Sequence, residues 1–331
     1  MKNVATLAGV GIKTVSRVVN GEPNVSAETI ARVQRAAEQL KYQPDLHAGN
    51  LRRTDRRTNT LGLLVGSVAN PFSAAVHRAV EDAALGRHVA VFASSLDDDA
   101  ERERSSVDAF LRRRVDGLIL TTIHRSQAYL GSELEHGTPI VFVDRRPVGI
   151  EADTVLADNA EGAERAVAHL MAHGHTRVAY LGDTAEIFTA RERRRGYFDA
   201  LHRGGLEPDA RLVVEGLSDE SRAAEAVSRL LELDDPPTAV FSAQNLITIG
   251  VITELRRRGL AERVALVGFD DVPMADLLNP AVTVVAQNPT EMGRTAARRV
   301  FERLDGDDAA PRDFVVPTSL IVRGSGEITP G

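Results

Sequence analysis

Residues 61–94, LGLLVGSVANPFSAAVHRAVEDAALGRHVAVFAS, decide the class of the fold. LGLLVG (61–66) and VAVFAS (89–94) are short apolar or β-branched runs of the kind buried in parallel sheets, and PFSAAVHRAVEDAAL between them has apolar residues at helical spacing. Strand, helix, strand is the unit from which a parallel sheet is built. Outward from it the alternation continues through DAERERSSVDAFLRRR to GLILTT (117–122) and PIVFVD (139–144). A second series follows, TRVAYLGD (176–183), RLVVEG (211–216), TAVFSA (238–243) and VALVGFD (264–270), separated by helical patterns such as EGAERAVAHLMAHG and SRAAEAVSRLLEL. The two series predict two doubly wound α/β lobes with ligand sites at the carboxyl ends of their strands.

The first 58 residues read differently. Asn3–Ala8 is a short helix, Gly9-Val10-Gly11 a tight connection, and Ile12–Val19 a second helix with Val15, Val18 and Val19 on its apolar side. Asn20-Gly21 ends that helix as a C-cap, and Ser26 caps a third in which Ile30, Val33, Ala37 and Leu40 repeat. Pro44 stops it, and the polar, basic PDLHAGNLRRTDRRT reads either as a flexible linker or as a marginal helix, with Ala48 and Leu51 on one side, that orders on a partner. This head holds three Lys and seven Arg against five carboxylates, a net of +5, in a chain of 331 residues whose formal charge is -7. A basic head on a body of net -12 suggests that the head alone meets a polyanion.

Other classes find little support. No apolar run approaches about eighteen residues, and Lys2 is followed by no apolar h-region, so neither a membrane span nor a secretory signal is expected and a cytoplasmic location is. The absence of cysteine removes disulfides, thiolate nucleophiles and Cys-based zinc sites. No nucleophile elbow, P-loop or HExxH occurs, so an enzyme is not expected and no cofactor is implied. His173 and His175 flank Gly174 without an obvious third ligand, so no metal site is expected either, and Asp97-Asp98-Asp99 reads as a solvated loop or helix start.

Head and body together resemble the LacI/GalR family of bacterial transcriptional regulators over essentially the whole chain. The resemblance is carried by VATLAGVGIKTVSRVVNGEPNVSAETIARV (4–33), YQPDLHAGNL (42–51), NPF (70–72), RRVDGLIL (113–120), HLMAHGHTRVAYLGD (169–183), RERRRGY (191–197), VALVGFDD (264–271) and MGRTAARRV (292–300). It implies an all-α helix-turn-helix headpiece (1–43), a hinge segment (44–59) and an α/β periplasmic-binding-protein-like core (60–331) of two doubly wound parallel-sheet lobes. Three crossings, near Ala157, Val284 and Val316, would divide that core into a first lobe of about 60–157 and 285–315 and a second of about 158–284 and 316–331. A homodimer is implied, and the lack of a leucine-heptad tail favours it over a tetramer.

The resemblance also assigns roles. Ile12 and Lys13 occupy base-reading positions, Arg17 is placed to reach a guanine, and Thr14, Ser16, Asn20 and Ser26 suit phosphate oxygens. Val4, Ala8, Val15 and Val19 belong to the headpiece core. Leu51 would wedge into the minor groove beside a close Ala48 contact between paired hinge helices, with Arg52 and its neighbours adding electrostatic affinity. Relatives usually have residues before Asn3-Val4-Ala5, including a hydroxyl that caps the first helix, which is lacking here.

For a small-molecule effector between the lobes, Phe72 would stack on a ring face, Thr121 or Thr122 and Asp144 would line the first lobe, and Thr189, Arg193 and Asp270 the second. Arg191, Arg194 and Arg195 read as a solvated face or pairing partners. Gln244-Asn245 stands where relatives commonly carry Asn-Asp, and a Gln244 pointing inward would narrow the pocket. The expected function is a ligand-responsive regulator, a repressor of a sugar or related small-metabolite catabolic operon, binding double-stranded DNA at a pseudo-palindromic operator. The alternative is a solute-binding protein of the periplasmic type without a regulatory role.

Overall fold

The computed structural model describes residues 1–19, 22–42, 57–97, 99–123 and 125–331, and its chain divides into two units, Met1–Thr60 and Leu61–Gly331. In the first, α1 (Lys2–Ala8), α2 (Ile12–Val19) and α3 (Ala27–Gln39) enclose a small core in which Val4, Val15 and Val33 are buried and Val19 packs against them. Helix α1 ends at Gly9, whose φ of 63° is the left-handed conformation a residue without a Cβ adopts freely. Arg32 of α3 donates to the carbonyls of Ala8 and Gly9, satisfying the last turn of α1 and holding the two helices together. At its other end α1 has no side-chain cap. Ser26 Oγ accepts from the Thr29 amide at 3.3 Å and starts α3. That helix ends before Leu40, which is exposed, so its apolar repeat stops at Ala37 rather than Leu40. The expected C-cap at Asn20-Gly21 and the hinge residues Ala48, Leu51 and Arg52 lie outside the described residues.

The second unit is built from two six-stranded sheets. One contains β1 (Thr60–Val65), β2 (Ala90–Ser95), β3 (Gly117–Leu120), β4 (Ile140–Val143) and β5 (Asp153–Ala157), with helices α4 (Pro71–Leu85), α5 (Ala100–Arg112) and α6 (Gly131–Glu135) in the connections. The other contains β6 (Val178–Leu181), β7 (Val213–Val214), β8 (Ala239–Ser242), β9 (Ala265–Phe269) and β10 (Thr283–Ala286), with α7 (Asn159–Ala172), α8 (Phe188–Arg203), α9 (Glu220–Leu230) and α10 (Asn245–Arg257). The chain then returns through α11 (Pro289–Leu304) to β11 (Asp313–Val316), and ends through β12 (Ser319–Ile321). Strand orders are β11-β5-β4-β3-β1-β2 and β12-β10-β9-β8-β6-β7.

The crossings between lobes therefore fall after β5, after β10 and after β11. The second is later than expected: Val284 and Val285 pair with Gly268 and Phe269 of β9, so the second-lobe sheet runs to Ala286 and the crossing occupies Gln287-Asn288. First and third crossings are tied to each other, since Asp158 accepts from the Thr318 amide at 2.6 Å and pairs with Arg165, which also donates to Thr318. Four strands had no counterpart among the expected runs, namely β5, β10, β11 and β12, and RLVVEG shrinks to the two residues of β7 at a sheet edge.

Two glycines explain why the helices pack closely. A Cβ on Gly196 of α8 would lie 2.1 Å from the Ala160 carbonyl oxygen of α7, and one on Gly293 of α11 would lie 2.5 Å from that of Val76 in α4. Only a missing side chain lets those backbones approach so far.

Candidate functional site

Each lobe sends one aspartate off the end of a strand in the same strained conformation. Asp144 follows β4 with φ 71° and Asp270 follows β9 with φ 70°, a left-handed backbone that Asp tolerates better than most residues. In each, the amide donates to the next strand, Asp144 to the Val155 carbonyl at 2.9 Å and Asp270 to that of Val285 at 2.8 Å. The turn is thereby locked, and both carboxylates line the cavity between the lobes.

The second-lobe carboxylate is well supplied with donors. Gln287 Nε2 donates to Asp270 at 2.7 Å, and Arg193 approaches it at 3.6 Å. Arg193 is 4% exposed and fixed on every side: it donates to Asn159 Oδ1 at 2.8 Å and to the Ala243 carbonyl at 2.9 Å, while its guanidinium lies 3.8 Å from the Phe269 ring centroid. Among the described residues Asp144 pairs within 4 Å with Arg145 alone, at 3.7 Å. Burial pushes its carboxyl above the ordinary range; Arg145 and Arg193 pull it back, and Asp270 adds to the push.

The cavity measures about 220 Å³, and Phe72, Thr121, Asp144, Thr189, Arg193, Gln244 and Asp270 all line it. Thr122 does not: it faces a neighbouring recess of about 500 Å³, where its hydroxyl donates to Glu103 at 3.3 Å. Gln244 lines the cavity but its amide is turned back as the N-cap of α10, accepting from Leu246 and Ile247. The expected inward-pointing amide is thus occupied by capping. Asn245 instead reaches across the cleft, donating to Asn70 Oδ1 at 3.0 Å, while Asn70 Oδ1 also caps α4 through the Phe72 amide.

Sequence reasoning passed over Asn70, Arg145 and Gln287, all lining the cavity. Asn before Pro-Phe was a capping signal, and Arg145 is adjacent to a named residue. Gln287 had no local signal, because it lies in the second crossing. Its Oε1 is buried and makes no hydrogen bond among the described residues.

On the headpiece, Ile12 and Lys13 are exposed at the start of α2, and Thr14 is half-buried. Ser16 is 8% exposed, less than expected of a phosphate contact, because the side of α2 that carries Val15 turns it toward the core. Arg17 folds back, donating to the Pro23 carbonyl at 2.9 Å and facing Glu22 at 3.5 Å. Asn20 is outside the described residues. In the core, Arg194 pairs with Glu215, Arg195 with Glu192, and Asp99 caps α5. His175 bonds through both nitrogens, to Thr238 and to the Ile328 carbonyl, so it has no lone pair left over for the metal role weighed against it.

Comparison with known proteins matches residues 1–45 to the model of bacterial regulatory proteins of the lacI family and residues 167–326 to a periplasmic binding protein-like domain. A solved complex described as the transcriptional regulator CelR with cellobiose is 33% identical, covering 98% of this chain and 98% of that one, with a TM-score of 0.71. The chain belongs to the lacI family. This lacI-family regulator is also 28% identical to the transcriptional repressor PurR of Mannheimia succiniciproducens, over 98% of both chains. The Lac repressor dimer bound to operator and the anti-inducer ONPF is 25% identical, with 98% of this chain and 97% of that chain covered and a TM-score of 0.85. The protein is a DNA-binding transcriptional regulator with an effector-binding core, and the solute-binding alternative is set aside. No helix among the described residues is long and apolar enough to cross a membrane.

Proposed function

We propose that this regulator is a homodimeric repressor of a pseudo-palindromic operator, released or recruited by a compact neutral sugar or sugar derivative held between its lobes. The reading rests on one observation: Asp144 stands opposite the Arg193–Asp270 pair in a cavity of about 220 Å³. Vicinal hydroxyls are both donors and acceptors, and such a set of carboxylates and guanidinium meets them with charge-assisted hydrogen bonds. Gln287 Oε1 adds an acceptor and Phe72 a flat apolar face. Asp144, Asp183 and Asp270 outnumber Arg145 and Arg193 along the wall, which disfavours a phosphate. The volume lies below the roughly 300–1,000 Å³ of sites for drug-sized ligands, which favours one ring. The cellobiose bound to CelR supports a saccharide, and the neighbouring recess, which shares Arg145, Asp183 and Ser218 with the cavity, has room for a substituent.

At the other end, Ile12 and Lys13 read base edges, the exposed Ile12 side chain suiting a thymine methyl. Arg17 reaches a guanine after leaving the Pro23 carbonyl, and Thr14 and Ser26 take phosphates. Asn20, Ala48, Leu51 and Arg52 complete the contact on the family pattern. Effector alters the angle between lobes and the first-lobe dimer surface, so operator and effector affinities change reciprocally.

A thermal-shift screen against neutral sugars, nucleosides and phosphorylated sugars, joined to mobility shifts with DNA flanking the gene, tests both halves. Stabilisation by a neutral monosaccharide and salt-sensitive, sequence-selective binding are expected. Stabilisation by phosphorylated sugars alone, or no selective DNA binding, would overturn the respective half.

A further inference from the structure

His169 lies in the last turn of α7 and His173, four residues on, is the residue that caps the helix, so the two side chains fall on the same side, with ring centroids 4.6 Å apart. Glu327, in the segment after the short turn at Gly324–Gly326, brings its carboxylate to both: one oxygen lies 3.0 Å from His169 Nε2 and the other 3.4 Å from His173 Nε2. One donor atom from each of the three residues falls within 4.8 Å of the others.

The rings are prepared for more than an ion pair. His173 Nδ1 lies 2.9 Å from the His169 carbonyl oxygen, and because a carbonyl only accepts, that nitrogen carries the hydrogen and Nε2 carries the lone pair of the neutral ring. A ring N–H given to a backbone carbonyl is the usual outer-shell arrangement of a metal-ligating histidine. His169 Nε2 is buried and faces the carboxylate, 3.0 Å from its nearer oxygen.

We propose that His169, His173 and Glu327 bind a divalent transition-metal ion, zinc by preference, with water completing the site. Two imidazoles and one carboxylate are a three-ligand zinc set whose bonds of about 2.0–2.1 Å place tetrahedral donors roughly 3.3 Å apart; here one donor atom from each residue lies within 4.8 Å of the others, close enough for small side-chain rotations to draw them onto one ion. Magnesium and calcium favour all-oxygen sites. The site is at the C-terminal end of α7, where the helix dipole favours a cation. Asn159, which holds Arg193, is at the other end of the same helix, ten residues or about 15 Å away. The ion is therefore separate from the effector cleft. It clasps α7 to a segment already anchored by Ser325, which donates to the Leu266 carbonyl, and by the His175–Ile328 contact.

Calorimetric titration of tag-free, chelator-stripped full-length protein with zinc chloride tests the site. One ion per chain is expected, with a raised melting temperature and, for cobalt(II) in its place, the visible absorption of a four-coordinate centre. His173→Ala and Glu327→Gln should each weaken zinc by more than about 100-fold, beyond the roughly 10- to 100-fold cost of outer-shell losses, while keeping the metal-free melting temperature of the parent. His202→Ala, at the exposed end of α8, should change nothing. Undiminished binding in both variants, or no binding and no thermal shift at millimolar zinc, overturns the proposal.

Discussion

The two walls of the cleft use the same turn for opposite ends. Asp144 and Asp270 share their φ, their place after a strand and their amide bond to the next strand. Asp270, however, is met by Gln287 and a fully engaged Arg193, whereas among the described residues the half-buried Asp144 has only the ion pair with Arg145 at 3.7 Å, and its carboxyl is pushed up by desolvation. One half of the site is assembled in advance, and the other is short of hydrogen-bond donors. That difference teaches where a ligand's hydroxyls are needed most, namely against Asp144 from the first lobe, which is also how a ligand would gain by drawing the lobes together.

The largest effect should come from breaking the assembled half. Arg193→Ala leaves Asp270 buried with its charge partner gone, a loss of about 3–5 kcal/mol for a buried pair, and in thermal-shift assays no sugar should stabilise the variant, though operator binding at low temperature survives. Loss of both would make Arg193 a folding residue. Next comes the half that is short of donors. Asp144→Asn should weaken effector by about 1.5–3 kcal/mol, the worth of a hydrogen bond to a charged group, yet leave the ligand-free protein as stable or more so, since a partly desolvated charge is removed. An equal loss of ligand-free stability in Asp144→Asn and Asp270→Asn, followed by denaturant unfolding, would erase the asymmetry.

How far this was readable beforehand depended on range. The strands whose apolar runs stand alone in sequence, such as LGLLVG and VALVGFD, announced themselves, and the residues at their ends, Asp144 and Asp270, came with them. Strands β5, β10, β11 and β12 flank the crossings and are short, DTVLA, TVVA, DFVV and SLI, so their β-branched runs are easily passed over, and their place in a sheet is set by remote pairing, as of Asp313–Val316 with Thr154–Ala157. Gln287 was missed for the same reason. Ser16 and Gln244 illustrate another gap: sequence does not reveal that helix rotation leaves Ser16 8% exposed or that the Gln244 side-chain oxygen caps α10.

A smaller effect sharpens the contrast through pH. Because the folded Asp144 carboxyl titrates above its ordinary 3.8, the native state holds the proton longer than the unfolded chain, and this group's contribution to stability falls as pH rises from about that value through the raised one. The difference in unfolding free energy between parent and Asp144→Asn should follow that decline, while effector affinity of the parent rises across the same window. A pH-independent difference would contradict the assigned burial. Smallest of all is Gln244→Asn. Asn caps helices as well as Gln or better, so stability should change by less than about 0.5 kcal/mol, and effector affinity, read by calorimetry, should stay within a few-fold because the Gln244 amide serves α10 rather than the ligand.

The central claim is that occupancy of this cleft controls the grip on DNA. Fluorescence anisotropy of labelled operator, titrated with protein in the absence and presence of the sugar that stabilises it, measures that coupling. The account predicts a shift of operator affinity of about 5- to 150-fold, the usual size of a coupling of 1–3 kcal/mol, in the parent and none in Arg193→Ala. Identical operator affinity of the parent with and without the bound sugar would contradict it.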